Sequence, residues 1–141
     1  MTKPDSYWLQ PIGIVRSALQ RREDAPLQGR EGGPEAWVEI YPEFLAALEG
    51  IEANAEVLVL TWLHLARRDV IKVRPRRVAT NPLLGVFATR SPDRPNPIGL
   101  HQATVLEVDG RRGVRLSPME AVNGTPVIDI KPVQCPHSPG G

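Results

Sequence analysis

Residues 87–100 read Phe-Ala-Thr-Arg-Ser-Pro-Asp-Arg-Pro-Asn-Pro-Ile-Gly-Leu and gather side chains suited to ligand recognition. Ser91 offers a hydroxyl, Arg94 a guanidinium and Asn96 an amide. Pro92, Pro95 and Pro97 hold them on a stretched or turned backbone that cannot serve as a regular central strand. Such a stiff segment loses little entropy on binding, which suits a preorganised pocket wall. A rigid corner that closes a barrel fits the same residues equally well. A second segment, 123–132, reads Asn-Gly-Thr-Pro-Val-Ile-Asp-Ile-Lys-Pro. As a strand it puts Val127, Asp129 and Lys131 on one face and Ile128 and Ile130 on the other. Asp129 and Lys131 are then either a solvated pair or the rim of a pocket beside the Asn-Gly turn.

Other chemistries lack their residues. His64, His101 and His137 lie far apart with no metal-ligand spacing, so no metal is expected. His64 falls in an apolar stretch, where a core or pocket-lining histidine is the commoner case. Neither GxxxxGK[ST], GxGxxG nor a nucleophile elbow occurs. The single cysteine, Cys135, stands among prolines, excludes an internal disulfide framework and points to a reducing, cytoplasmic setting. No apolar run approaches the roughly 18 residues of a membrane span, and the first ten residues lack a signal-peptide pattern.

The net charge of +1 conceals two opposed blocks. Between Glu23 and Glu56 stand nine acidic side chains and one basic, whereas between Arg67 and Arg94 stand eight basic and two acidic. Arg67, Arg68, Arg74, Arg76 and Arg77 form an arginine-rich candidate surface for phosphates, which guanidinium forks bind bidentately. Alternatively the two blocks face one another, within a subunit or across a dimer, or simply face water.

The elements that must position these groups are mostly strands. Twelve glycines and 15 prolines make up about a fifth of the chain and argue against a helical bundle. Strands are expected at 12–15, 36–40, 70–73, 86–89, 102–108, 114–116 and 125–133. Residues 56–65 (EVLVLTWLHL) read as a central strand buried on both faces. Pro42, then Phe44, Leu45, Leu48 and Ile51, mark one short helix ended by Gly50. Asp109-Gly110-Arg111-Arg112-Gly113 has hairpin-turn chemistry, and the glycine-bearing loop 16–34 is free to fold around a ligand. Without a βαβ rhythm, the expectation is a mainly β, antiparallel, barrel-like single domain over 1–141 with one short helix packed against it. Its core runs from about 10 to 133, and 134–141 reads as a tail.

ATRSPDRPNPIGL together with NGTPVIDIKP resembles the TsaA-like family of small β-barrel proteins, the TrmO-type tRNA methyltransferases. Pro11-Ile12-Gly13, Pro26-Leu27-Gln28 and the apolar strand ending at His64 add to the likeness, which spans about 10–133. The resemblance implies an S-adenosylmethionine-dependent homodimer that methylates N6 of a threonylcarbamoyl-modified adenosine beside the tRNA anticodon. It implies cofactor contacts at Pro26, Leu27, Gln28, His64, Leu65, Arg90, Leu100, Met119, Glu120 and Ala121. Asn96 would align the modified base and Asp129 would orient or accept a proton. Arg94 and Lys131 join the five arginines as expected substrate contacts. The family pattern differs at Leu27, commonly basic, at Asn123, commonly aspartate, and at Asp93, often apolar or aromatic. The chain also corresponds to a short form that stops soon after DIKP. A non-catalytic cofactor-binding barrel acting as sensor or adaptor, or a methyltransferase for a small substrate, fits the same sequence.

Overall fold

Period-two burial runs through six strands and closes them on themselves. The structure, a computed structural model, describes residues 2–3, 5–21, 34–75 and 78–134. The strands are β1 (Gly13–Arg16), β2 (Ala36–Ile40), β3 (Glu56–Trp62), β6 (Ile98–Asp109), β7 (Gly113–Ser117) and β8 (Pro126–Pro132), with a small ribbon of β4 (Lys72–Val73) and β5 (Leu84–Gly85). They form a closed antiparallel barrel in the order β1-β2-β7-β6-β3-β8, with β8 returning to β1. Val15, Val38, Val57, Val59, Val105, Val114, Leu116 and Val127 point inward and are almost wholly buried. Valine suits the place twice over: its branched side chain fits a pleated strand, and it fills a narrow bore.

A 3-10 helix over Pro42–Leu48 is the expected short helix. Leu48 is buried, and Phe44, Leu45 and Ile51 pack against the barrel core, so the helix plugs the end where β2 leads to β3. Strict alternation of strand direction sends the remaining long connections to the opposite end. Loops 17–35, 63–97 and 118–125 all leave there.

Several elements depart from the sequence expectation. β3 stops at Trp62, and its burial alternates, with Val57, Val59 and Thr61 buried and their neighbours less so. It is therefore buried on its inner face, as a barrel wall requires. The segment expected as a strand at 86–89 is a 3-10 turn at Val86–Ala88, and the paired residues precede it. β6 begins at Ile98, directly after buried Pro97, four residues earlier than the expected start at Gln102. In β8 a bulge skips Ile128: Leu60 pairs with Asp129 while Thr61 pairs with Val127. Val127 and Ile130 thus serve the core, while Asp129 and Lys131 share the outer face without Val127.

The outer surface has two characters. Across β1, β2 and β7, Glu39 receives Arg16 at 2.9 Å and Arg112 at 3.2 Å, and Arg115 bridges Glu35 and Glu107. The Arg16 hydrogen bond, aided by Arg112, holds the Glu39 carboxyl below its usual range. Arg112 also stacks over Trp37 at 4.1 Å. Glu35 and Glu39, of the first block, thus pair with arginines outside the 67–94 block. Across the loop-side half of β3 and β6 the surface is apolar, with Leu60 opposite Leu100 and Trp62 opposite Ile98, whereas towards the plug Glu56 accepts from Gln102 and Thr104.

Candidate functional site at the loop end of the barrel

The proline-locked segment 91–97 is fastened to the chain that leaves β3. Leu63 N donates to Pro97 O at 2.8 Å, Arg94 N to Arg67 O at 3.0 Å, and Arg67 N to Asp93 Oδ1 at 2.9 Å. These bonds prolong the β3–β6 pairing past its last rung and give the wall a fixed place. Asp93 therefore fills a backbone-capping role here. Arg94 turns back under the wall, donating to Val86 O, Thr89 O and Ser91 O. Its guanidinium shapes the loop from within.

Arg68 crosses the same junction. Its guanidinium lies 5.1 Å from the Trp62 ring, Nε donates to Pro95 O at 2.7 Å, and Nη2 donates to Asn96 Oδ1 at 3.0 Å. Arg67 pairs with Asp69 at 2.8 Å. Arg74 donates to Asn81 O at 2.7 Å, and Arg90 donates to Leu100 O at 3.2 Å. His64 and Leu65 are exposed on the turn after β3, so of the two placements the apolar stretch allowed, core or pocket-lining, the core one is excluded for His64.

The third loop, 118–125, crosses the same end. Met119 N donates to Pro34 O, Asn123 N to Leu19 O and Gly124 N to Val15 O. Asn123 Oδ1 in turn accepts Ser17 N at 3.1 Å, so asparagine in the turn has a local partner. Met119 and Ala121 are buried in the core, leaving Glu120 between them as the side chain able to meet a ligand. Its Oε1 is buried and has no hydrogen-bond partner among the described residues, the pattern of an acceptor open to a donor. Asp129 and Lys131 sit lower on the wall, on the outer face, 3.5 Å from each other. Asp129 Oδ1 accepts the N–H of Ile130. Pro26, Leu27, Gln28, Arg76, Arg77, Cys135 and His137 lie outside the described residues.

One polar pair emerges only from the structure. Thr61 is fully buried, and its Oγ1 lies 2.9 Å from His101 Nε2 inside the barrel. Burial, aided by the nearby positive Arg90, pushes the His101 pKa down to about 4. A Cβ on Gly99 would collide with Thr61 Oγ1 and stand 2.9 Å from His101 Nε2, so only glycine fits beneath this pair. Counting back by twos from Ala103 and Val105 puts His101 inside, a signal present in the sequence once β6 is known to start early.

Residues 14–136 match the family model described as the tRNA-methyltransferase O N-terminal domain. The chain belongs to this family. It is similar to a probable S-adenosyl-L-methionine-binding protein of Methanothermobacter thermautotrophicus, 45% identical over 88% of each chain. An S-adenosyl-L-methionine-binding protein of Archaeoglobus fulgidus is 42% identical over 87% of this chain and 86% of its own. The crystal structure of TrmO from Pseudomonas aeruginosa superposes with a TM-score of 0.69 at 30% identity, covering 91% of this chain and 56% of that one. The family match and the superposition agree with the mainly β barrel described above. The chain therefore spans little more than half the length of that solved structure.

Proposed function

We propose that this protein transfers a methyl group from S-adenosylmethionine to N6 of a threonylcarbamoyl-modified adenosine beside the tRNA anticodon. The observation that carries the reading is the convergence of three loops at one barrel end. Two of them bring His64, Leu65, Arg90 and Glu120 there. The buried Glu120 Oε1, without a partner among the described residues, fits a cofactor that presents hydroxyl or ammonium donors. Arg90 and Leu100 would form the neighbouring wall, with the backbone at Met119 and Ala121 closing it.

Bound S-adenosylmethionine supplies a methyl group already activated by its sulfonium. The chain's own work is then alignment, and holding the reactants in near-attack geometry supplies several kcal/mol, on the order of 7–11 in favourable cases. Asn96 aligns the modified base from the fixed wall. Asp129 orients the reacting amine or receives its proton. Arg67 and Arg74, with Arg76 and Arg77, meet tRNA phosphates.

A homodimer belongs to this reading. Ile98 and Leu100, 42% and 48% exposed, lie with Leu60 and Trp62 on one side of the barrel, bordered by charged Arg68, Arg90, Asp129 and Lys131. An apolar centre with a polar rim is the anatomy of a protein interface. Both signs of charge on the rim allow a two-fold copy to pair with itself.

The deciding experiment incubates the protein with labelled S-adenosylmethionine and total tRNA and then analyses the nucleosides. Label on the modified adenosine supports the proposal. Cofactor binding without transfer favours a second reading, a cofactor-binding barrel without catalysis. Two similar-length relatives named only for S-adenosyl-L-methionine binding support that second reading. Failure to bind the cofactor sinks both.

A further inference from the structure

Arg68 was expected among the phosphate contacts, yet its donors are directed elsewhere. One guanidinium edge is committed to the wall, through Pro95 O at 2.7 Å and Asn96 Oδ1 at 3.0 Å, while its carbon lies 5.1 Å from the Trp62 ring centroid. Guanidinium carries donors only, so the amide oxygen of Asn96 must be the atom that faces it. The amide nitrogen then faces away from Arg68. Trp62 and Pro95 restrain the guanidinium from two sides, and proline fixes the backbone that carries Asn96.

We propose that Arg68 is the positioning residue for Asn96, setting its amide so that Nδ2 offers two N–H donors to the substrate. This rests on the methyl-transfer reading of the site and sharpens it. An asparagine that reads the N6/N7 edge of adenine uses its oxygen and its nitrogen together. With one lone pair of the oxygen held by Arg68 and the amide turned towards it, Nδ2 leads towards the opposite side and the paired contact is disfavoured. Asn96 binds an acceptor instead, a carbonyl or carboxylate oxygen such as a carbamoyl-amino-acid substituent carries. The site thereby favours an adenosine bearing an acyl substituent over a bare one.

Side-chain amide relaxation of the full chain tests the geometry without any reaction. In the wild type, Asn96 Nδ2 should show an order parameter near the rigid value of about 0.85, and Arg68→Ala should lower it below about 0.6. Arg68→Lys, which keeps a donor but loses the fork, should fall between. An unchanged Asn96 amide in Arg68→Ala overturns the proposal whatever the activity. In single-turnover methyl transfer, Arg68→Ala should slow the step by about 10- to 100-fold, the size expected for a hydrogen bond to a charged group. The salt slope of tRNA binding should stay the same. The double variant Arg68→Ala/Asn96→Ala should be no slower than Asn96→Ala alone. Multiplying losses, or a salt slope flattened by about one, would instead make Arg68 a phosphate contact. Should the wild type transfer no methyl group, the functional reading fails while the relaxation measurement still decides the role of Arg68.

Discussion

Acid is the natural probe of a histidine kept neutral inside a barrel. Free histidine titrates near 6.5, whereas His101 is held down to about 4. Between those values the unfolded chain takes up a proton that the folded chain refuses. The stability from this site is therefore complete above about pH 6.5 and declines as the pH falls, by up to about 3 kcal/mol near pH 4. Urea unfolding at pH 7 and pH 4.5 should show this decline in the wild type and a shallower one in His101→Gln, whose amide can still meet Thr61. Equal slopes would remove His101 as the cause. Gly99→Ala should cost about 1–3 kcal/mol through overpacking, read as a lowered Tm, because the new methyl meets Thr61 and His101. At this scale the prolines and Gly99 pointed to a segment that backbone bonds hold in a fixed place. That Asp93, Asn123 and Arg94 would turn to backbone partners was not legible, since those bonds join residues distant in the chain or fold a loop back on itself.

The 3-10 plug shows what local pattern can reveal about an element. Pro42 and the spacing of Phe44, Leu45, Leu48 and Ile51 announced a helix over the core, and its role as a stopper follows from burial of Leu48. Leu48→Ala should destabilise by about 2–5 kcal/mol, measured by chemical unfolding, since the side chain fills the barrel's closed end. Affinity for S-adenosylmethionine by calorimetry should be unchanged, because the plug and the loop cluster occupy opposite ends. A loss of affinity at native temperature would refute that separation. The bulge at Ile128 was hidden because period-two counting assumes an unbroken pleat. One extra residue reverses every later assignment, which is why Val127 left the face of Asp129 and Ile130 joined the core. The early start of β6 was obscured by Gly99 and His101, which interrupt its apolar rhythm.

Over the whole molecule, the opposed charge blocks were real in sequence but resolved differently in space. The described acids Glu35 and Glu39 pair with Arg115, Arg16 and Arg112 on one side of the barrel, while the other side carries the apolar patch of Leu60, Trp62, Ile98 and Leu100. If that apolar side joins two copies, Ile98→Glu should give a monomer by light scattering where the wild type gives a dimer. A monomeric wild type would end the dimer reading. Arg74→Ala should weaken tRNA binding modestly and reduce its salt slope by about one, with cofactor affinity spared. Slopes identical to wild type would return that residue to a structural role, holding Asn81 O. Fold class was legible from composition and strand count. The meeting of three loops was not, because it depends on barrel order and not on any single segment.

Strand alternation also settles where the molecule can be handled. The chain enters β1 and leaves β8 at the plugged end, where Val133 N bonds to Glu56 O at 3.0 Å. Six antiparallel strands bring both attachment points to the same rim, and β3, whose seven residues make six steps of about 3.4 Å, runs roughly 20 Å along its own axis from that rim to the loops. A tether, dye or fused module joined at either rim position stands behind the barrel and leaves the opposite mouth open. The protein can thus be immobilised by its base with its loops facing solution.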